Sequence, residues 1–140
     1  MSRAARLMAG IILILVPTIE FGGRFLLMQL MDKTSHYTEH AVRQDLMRAG
    51  HAHAGVIILL SLVGQILADS ASLPAALVWA VRVALPAAAI LMSAGFFLSM
   101  PSVDATQPNG MVALVWTGGL LLAAAVLTLA VGLLRKPRAA

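Results

Sequence analysis

Two histidines near the middle of the chain are the residues best suited to hold a ligand. His51 and His53 lie two positions apart, directly after Gly50. A neutral imidazole is the commonest metal ligand in proteins. On a helix the two rings would point about 200° apart, so each would serve a different neighbour, such as a haem iron or a facing carboxylate. If Gly50 leaves the backbone unwound, both rings could reach one ion. The alternative is that both are interfacial side chains hydrogen-bonded to loops or lipid headgroups.

Two further histidines, His36 and His40, lie in the polar segment that precedes this pair. If that segment is helical, their i,i+4 spacing places both on one face with Glu39 nearby. Imidazole with carboxylate suits Zn(II), and imidazole with the thioethers of neighbouring methionines suits Cu(I). The pattern predicts a metal site that draws on all four histidines, although methionine is also an ordinary filler of apolar cores.

Three charged residues fall inside otherwise apolar stretches, namely Glu20, Arg24 and Arg82. A charge at the centre of a membrane span costs at least about 2.5–3.5 kcal/mol on insertion scales, so each needs a partner or a function. Glu20 and Arg24 are four residues apart and can form an ion pair on one helix face. Alternatively, Glu20 acts as a proton or ion relay or binds a charged ligand. Arg82 either extends to the cytoplasmic headgroups or turns inward to pair with Glu20.

The composition is that of a membrane protein. Of the 140 residues, 60% are hydrophobic and 11% are charged, with a mean hydropathy of +0.90, which leaves too few polar residues to cover a soluble domain. The chain has no cysteine, so disulfides, thiolate metal sites and cysteine nucleophiles are excluded. The positions of the basic residues give no support to nucleic-acid binding. No phosphate-binding loop or hydrolytic triad is present, and we do not expect an enzyme.

Four long apolar segments must position these residues. They cover about residues 7–31, 49–68, 73–100 and 111–134, and each is long enough to cross a hydrocarbon layer of about 30 Å as a helix. The sequence therefore predicts an all-α bundle of four transmembrane helices that forms a single domain over residues 1–140. Pro17 and the pair Gly22-Gly23 predict a kink or local unwinding in the first span.

The polar segments indicate how this bundle is oriented. Lys and Arg tend to remain on the cytoplasmic side, and basic residues flank the first and last spans, so both termini are expected in the cytoplasm of a multi-pass cell-membrane protein. All four histidines then lie on the outer side. Apolar residues share one face between Glu39 and Arg48, which predicts a short outer amphipathic helix that Gly50 ends before the second span. The terminal basic residues are Arg3, Arg6, Arg135, Lys136 and Arg138.

The placement of Glu20, Arg24, His51 and His53 resembles that in small uncharacterised bacterial four-helix membrane proteins. Those share a charged pair late in the first helix and a His-x-His at the start of the second. The His-x-His is also similar to that of haem-binding membrane subunits of oxidases and nitric-oxide-related proteins, which implies a redox-cofactor or metal role. Glu20 further resembles the glutamate of small four-helix multidrug transporters. The long outer loop, Arg24, Arg82 and the histidines do not fit that transporter family.

Three functions follow from these residues. The first is binding of haem, or of a metal ion such as copper or zinc, near the outer face through His51 and His53. The second is a proton-coupled transporter or channel that uses Glu20. Four helices enclose little space, so we expect a homo-oligomer there. The third is an accessory subunit of a larger membrane complex with no site of its own. The lipid bilayer is the partner common to all three.

Overall fold

A computed structural model describes residues 1–135 of the chain as a bundle of four helices. Lys136 and Arg138, which belong to the terminal basic cluster, lie outside the described residues. The predicted all-α architecture is confirmed, and all four helices are long and apolar enough to cross a membrane. The helices are α1 (Arg3–Met31), α2 (Ala41–Leu67), α3 (Ala75–Ser99) and α4 (Ala113–Leu134).

The two ends of the bundle are distinct. At the terminal end, the Ser2 amide donates to Asp69 (2.6 Å) and the Ser72 amide donates to the Gly132 carbonyl (2.8 Å). These bonds bring the start of α1, the α2–α3 turn and the last turn of α4 together. The loop end carries the connections over residues 32–40 and 100–112. Short 3-10 turns occupy Lys33–Ser35, Tyr37–Glu39 and Gly110–Val112.

The predicted outer amphipathic helix is helical but is not a separate element. Residues from Ala41 onward continue without a break into the membrane span, so α2 runs for 27 residues. Gly50 does not end a helix here. Its missing side chain lets α3 approach, because a Cβ at Gly50 would lie 2.9 Å from the Cβ of Phe96 and 3.0 Å from a ring carbon of Phe97. The glycine is thus explained by helix packing.

The first helix is not unwound at Pro17 or at the glycine pair, so of the predicted kink or local unwinding the unwinding is wrong. Residues 3–31 are α-helical through Pro17 and through Gly22 and Gly23. Pro17 cannot donate a backbone hydrogen bond to the preceding turn, and the Thr18 hydroxyl donates to the Leu15 carbonyl nearby (2.6 Å). The glycine pair has a packing role that is described with the site below.

The core is built in three layers along the bundle. The middle layer contains Ile12, Ile57, Ile58, Ala89 and Met92. A second cluster, with Leu85 and Leu129, fills the terminal end, and a third, with Leu26, Tyr37 and Met47, closes the loop end. The helices α3 and α4 pack most closely, since a Cβ at Gly95 would lie 2.7 Å from the Val115 backbone nitrogen. Small residues allow such close backbone approach between helices in lipid.

Candidate functional site: the His51 crevice

The ring of His51 lies between α1 and α2, directly against the glycine pair of α1. A Cβ at Gly23 would lie 3.0 Å from Cε1 and 3.2 Å from Nε2 of His51, and a Cβ at Gly22 would lie 3.7 Å from its Nδ1. Any side chain at position 23 would therefore press on the imidazole. Gly22 and Gly23 provide the room in which the His51 ring sits.

Beside this ring the helices α1, α2 and α3 leave a cavity of about 280 Å³, which we call the His51 crevice. Three phenylalanines form much of its wall, and the crevice lies at the bundle surface, where Phe21 is 73% exposed. A second cavity of about 190 Å³ shares part of this lining and continues toward the middle layer of the core. The residues of the crevice are Thr18, Ile19, Phe21, Gly22, Phe25, His51, Ala54, Ser93, Ala94 and Phe97.

Few polar groups face the His51 crevice, and two of them have no partner within residues 1–135. The His51 ring makes no hydrogen bond to another described residue. The Ser93 hydroxyl oxygen is buried and likewise has no hydrogen-bond partner among them. The third group, the Thr18 hydroxyl, already donates to Leu15. Because buried polar groups are nearly always hydrogen-bonded, the unpartnered Ser93 hydroxyl is unusual, and the half-buried imidazole of His51 lies in the same apolar crevice.

His53 lies on a different side of α2. Its Nδ1 is 2.7 Å from the Ala49 carbonyl oxygen, and its ring centroid is 5.1 Å from that of Phe96. With Nδ1 donating to Ala49, Nε2 carries the free lone pair. His53 lines its own cavity of about 160 Å³ with Ala52, Val56 and Ile57. Since α2 is helical throughout, the structure does not bring His51 and His53 to one ion.

The other two predicted metal ligands do not share a helix face. Residues 33–39 form two 3-10 turns, and His36 lies between them with φ 50°, in the left-handed region. Its Nδ1 is 3.1 Å from a carboxylate oxygen of Glu39, whereas His40 precedes the first turn of α2. Among residues 1–135, no group of three or more His, Asp or Glu side chains is placed to hold a metal ion.

Glu20 and Arg24 lie on the side of α1 that faces away from the other helices. Both are exposed, and in the described part of the chain neither forms an ion pair with the other or with Arg82. Neither residue lines the His51 crevice. Their charged groups therefore lie outside the interior of a single bundle.

Arg82 takes neither of the two predicted courses. It is 2% exposed, and its guanidinium donates to the Asp69 carboxylate (2.6 Å) and to the Gln65 carbonyl (2.8 Å) and side-chain oxygen (3.1 Å). The Gln65 amide donates back to the Arg82 carbonyl (3.0 Å). The arginine thus pairs across the α2–α3 hairpin rather than with Glu20 or with headgroups.

Asp69 joins this pair to the start of α1. It accepts hydrogen bonds from both the hydroxyl and the backbone amide of Ser2, each 2.6 Å long. These two bonds, with that of Arg82, lower the pKa of Asp69 to about 2. We call Ser2, Gln65, Asp69 and Arg82 the terminal network. Sequence reasoning missed all of it except Arg82, although a glutamine inside an apolar span is itself a signal.

A second missed feature is a buried arginine at the loop end. Arg43 is 5% exposed and lies over the ring of Tyr37, 5.7 Å from its centroid. Tyr37 is 1% exposed, and burial raises its pKa. In the sequence Arg43 looked like one more surface charge of the outer loop. Its spacing of four residues from the buried Met47 is the signal that could have placed it inward.

Comparison with models of protein families, with curated proteins and with solved structures finds no match to this chain.

Proposed function

We propose that this protein is a membrane-embedded binding protein whose ligand occupies the His51 crevice. The observation that carries the proposal is the unpartnered imidazole of His51, seated on Gly22 and Gly23 within an apolar cavity of about 280 Å³. Ligand sites are typically apolar clefts with a few convergent polar groups. The Ser93 hydroxyl is the second such group here.

The lining of the crevice favours one class of ligand. Phe21, Phe25 and Phe97 provide flat apolar walls, which suit a planar ring. His51 can donate a hydrogen bond to a carbonyl of that ring or bind a metal that it carries. Because Phe21 is exposed at the bundle surface, we propose an entrance from the lipid and a lipid-soluble ligand with one polar group.

Haem and simple metal ions fit this site only through His51. The donors facing the crevice are one imidazole and two hydroxyls, and His53 is directed to another side of α2. A single ion held between the two histidines, or haem with both as axial ligands, does not fit this arrangement. A volume of about 280 Å³ lies at the low end for ligand pockets, so haem would be only partly enclosed, with His51 as its protein ligand.

The orientation proposed for the membrane places the terminal end in the cytoplasm. Arg3, Arg6 and Arg135 all belong to that end, and Lys and Arg are enriched on the cytoplasmic side. At the loop end the buried Arg43 does not contribute a surface charge, which strengthens the asymmetry. In this orientation the His51 crevice opens in the outer half of the bilayer.

The test is ligand retention by the full chain purified in a mild detergent. An organic extract analysed by mass spectrometry, an absorption spectrum and elemental analysis would detect a lipid-soluble ring compound, haem and metal respectively. The purified protein is then titrated with haem, Zn(II), Cu(I) and a short-tailed benzoquinone. We expect one of these to bind the unsubstituted chain, and His51→Ala to weaken binding by about tenfold or more, since a lost polar contact of this kind costs about 1–3 kcal/mol.

His53→Ala is the matched control, because it removes an equivalent ring on the other side of the same helix and should leave binding unchanged. Gly23→Ala should weaken binding as His51→Ala does, because the new methyl group presses on the imidazole, whereas Gly55→Ala meets no atom within 4 Å and should not. If all probes fail to bind, or if His53→Ala matches His51→Ala, the His51 crevice is not the binding site.

A further inference from the structure

The outward face of α1 carries a regular stripe of exposed residues. Its members recur at alternating intervals of four and three residues, and every one of them is exposed. The seven intervals cover 25 residues and average about 3.6, so the members lie along one face of an ordinary α-helix. We call it the α1 stripe, and it consists of Arg6, Gly10, Leu13, Pro17, Glu20, Arg24, Leu27 and Met31.

Two members of the α1 stripe are poorly suited to lipid. Glu20 and Arg24 lie in the middle of a 29-residue helix, and a charge at such depth costs at least about 2.5–3.5 kcal/mol on insertion scales. Within residues 1–135 no ion pair neutralises either of them. Apolar members such as Leu13 and Leu27 need no cover in lipid, but a carboxylate and a guanidinium do.

The rest of the bundle leaves this face of α1 free. In its most apolar 18-residue window only 11% of α1 is buried, compared with 33% for α2 and 39% for α3. The other helices of the chain therefore do not cover the α1 stripe.

We propose that the partner is a second copy of this chain, which packs its own α1 stripe against the first. The stripe is self-complementary in charge, because each copy presents one acid and one base a single turn apart. Two copies inserted in the same direction place their α1 helices parallel about a two-fold axis along the membrane normal. Glu20 of one copy then lies about 6 Å along the axis from Arg24 of the other, within the reach of an arginine side chain.

This arrangement neutralises all four charges in one place. Two Glu20–Arg24 pairs form between the copies, and they offset the repulsion between the two Glu20 carboxylates, which lie at the same depth on either side of the two-fold axis. The His51 crevice lies on the opposite side of α1 from the stripe, so the dimer leaves it open.

The experiment exploits the absence of cysteine from the chain. Leu13→Cys and Leu27→Cys variants, each with a single thiol in the α1 stripe, are treated in cell membranes with a thiol oxidant or a short bis-maleimide. We expect a product of twice the chain mass from both. Leu120→Cys is the matched control, because Leu120 is 74% exposed on the outer face of α4 and should not cross-link.

Charge substitutions in the Leu13→Cys background then test the pairing. Glu20→Arg alone and Arg24→Glu alone place four like charges together. Each should lower the cross-linked fraction by about tenfold, as expected for losing interhelical polar contacts of about 1–2 kcal/mol. The exchange Glu20→Arg with Arg24→Glu rebuilds both pairs and should restore cross-linking.

Three outcomes would overturn the proposal. The first is cross-linking at Leu13 and Leu27 no stronger than at Leu120. The second is a product whose mass differs from twice that of the chain, which would indicate another protein on this face. The third is a cross-linked fraction that is unchanged by the single charge substitutions, or one that stays low when both residues are exchanged.

Discussion

The terminal network and the His51 crevice use polar side chains in opposite ways. In the terminal network, Arg82 is 2% exposed and its two terminal nitrogens donate hydrogen bonds to Gln65 and Asp69. The Ser2 hydroxyl donates a further hydrogen bond to Asp69. In the His51 crevice, an imidazole and the Ser93 hydroxyl face an apolar cavity without partners in the described chain. The polar groups of the terminal network hold helices together, whereas those of the crevice have no partner in the described chain.

The polar side chains of the terminal network thus have a structural role, and those of the crevice have the binding role that we propose. A buried charge is costly unless it is paired and hydrogen-bonded, so loss of one member of the terminal network leaves polar groups of the others without a partner. A neutral imidazole or hydroxyl is cheaper to leave unpaired. Substitutions should therefore reduce stability at the terminal end and reduce binding, with little loss of stability, at the crevice.

The largest effect is expected for Asp69→Ala. It leaves the buried guanidinium of Arg82 without a counter-charge, which is strongly destabilising, and it frees the start of α1. We expect the unfolding temperature of the detergent-solubilised chain to fall by roughly 10 °C, measured by circular dichroism. Asp104→Ala, which removes a carboxylate of the α3–α4 connection that forms no ion pair in the described chain, is the control. An equal response of both variants would mean that Asp69 does not hold the terminal network together.

An intermediate effect is expected from acid. The pKa of Asp69 is lowered from 3.8 to about 2, so the unfolded chain takes up the proton before the folded chain does. The stabilisation that Asp69 provides is then complete above about pH 4 and is lost as the pH falls toward 2. The unfolding temperature, followed from pH 7 to pH 2, should be flat with respect to this group until about pH 4.

Ser2→Ala separates this contribution from other acid effects. The Ser2 hydroxyl is the largest cause of the lowered pKa, so its removal raises the pKa of Asp69 toward the ordinary value and makes the acid-induced decline shallower. The same hydroxyl caps α1 by accepting from the Ala5 amide (3.1 Å), and loss of that cap lowers stability by about 1 kcal/mol at every pH. An unchanged slope below pH 4 would contradict the assignment.

The smallest effect distinguishes two serines in the core. The Ser61 hydroxyl is fully buried and donates to the Ile57 carbonyl (2.7 Å), so Ser61→Ala should lower the free energy of unfolding by about 0.5–1.5 kcal/mol. Ser93→Ala removes a hydroxyl that has no partner, and the ligand-free chain should be unchanged or slightly more stable. Both are measured by unfolding in a denaturing detergent. A loss at Ser93 as large as that at Ser61 would mean that the crevice hydroxyl is already satisfied.

Hydropathy was sufficient to predict the helices, because lipid permits few other conformations for long apolar segments. Glycine and proline were poorer guides to where a helix ends or unwinds. Gly50 was assigned to a helix end from its residue type, but it lies inside α2 and serves the contact with Phe96 and Phe97. Pro17 likewise did not break α1. Both cases depend on tertiary packing, which a window of neighbouring residues does not contain.

Contacts between residues on different helices cannot be predicted from the spacing of residues along the sequence. Arg82 and Asp69 are 13 residues apart and meet only because α2 and α3 form a hairpin. The His51 crevice depends on Gly22 and Gly23 from another helix, and no pattern near residue 51 signals them. Candidate residues could thus be named from their chemistry alone, whereas the separation of His51 from His53 required the continuous helix.

The continuity of α2 has a mechanical consequence. At 27 residues the helix is about 40 Å long, which exceeds the roughly 30 Å that a hydrocarbon layer requires, so its first turns form a rigid arm beyond the length that a span needs. No joint interrupts the arm between Ala41 and His51. Because the helix is continuous, a displacement of those first turns would be transmitted directly to the imidazole of His51 and to its contact with Gly22 and Gly23.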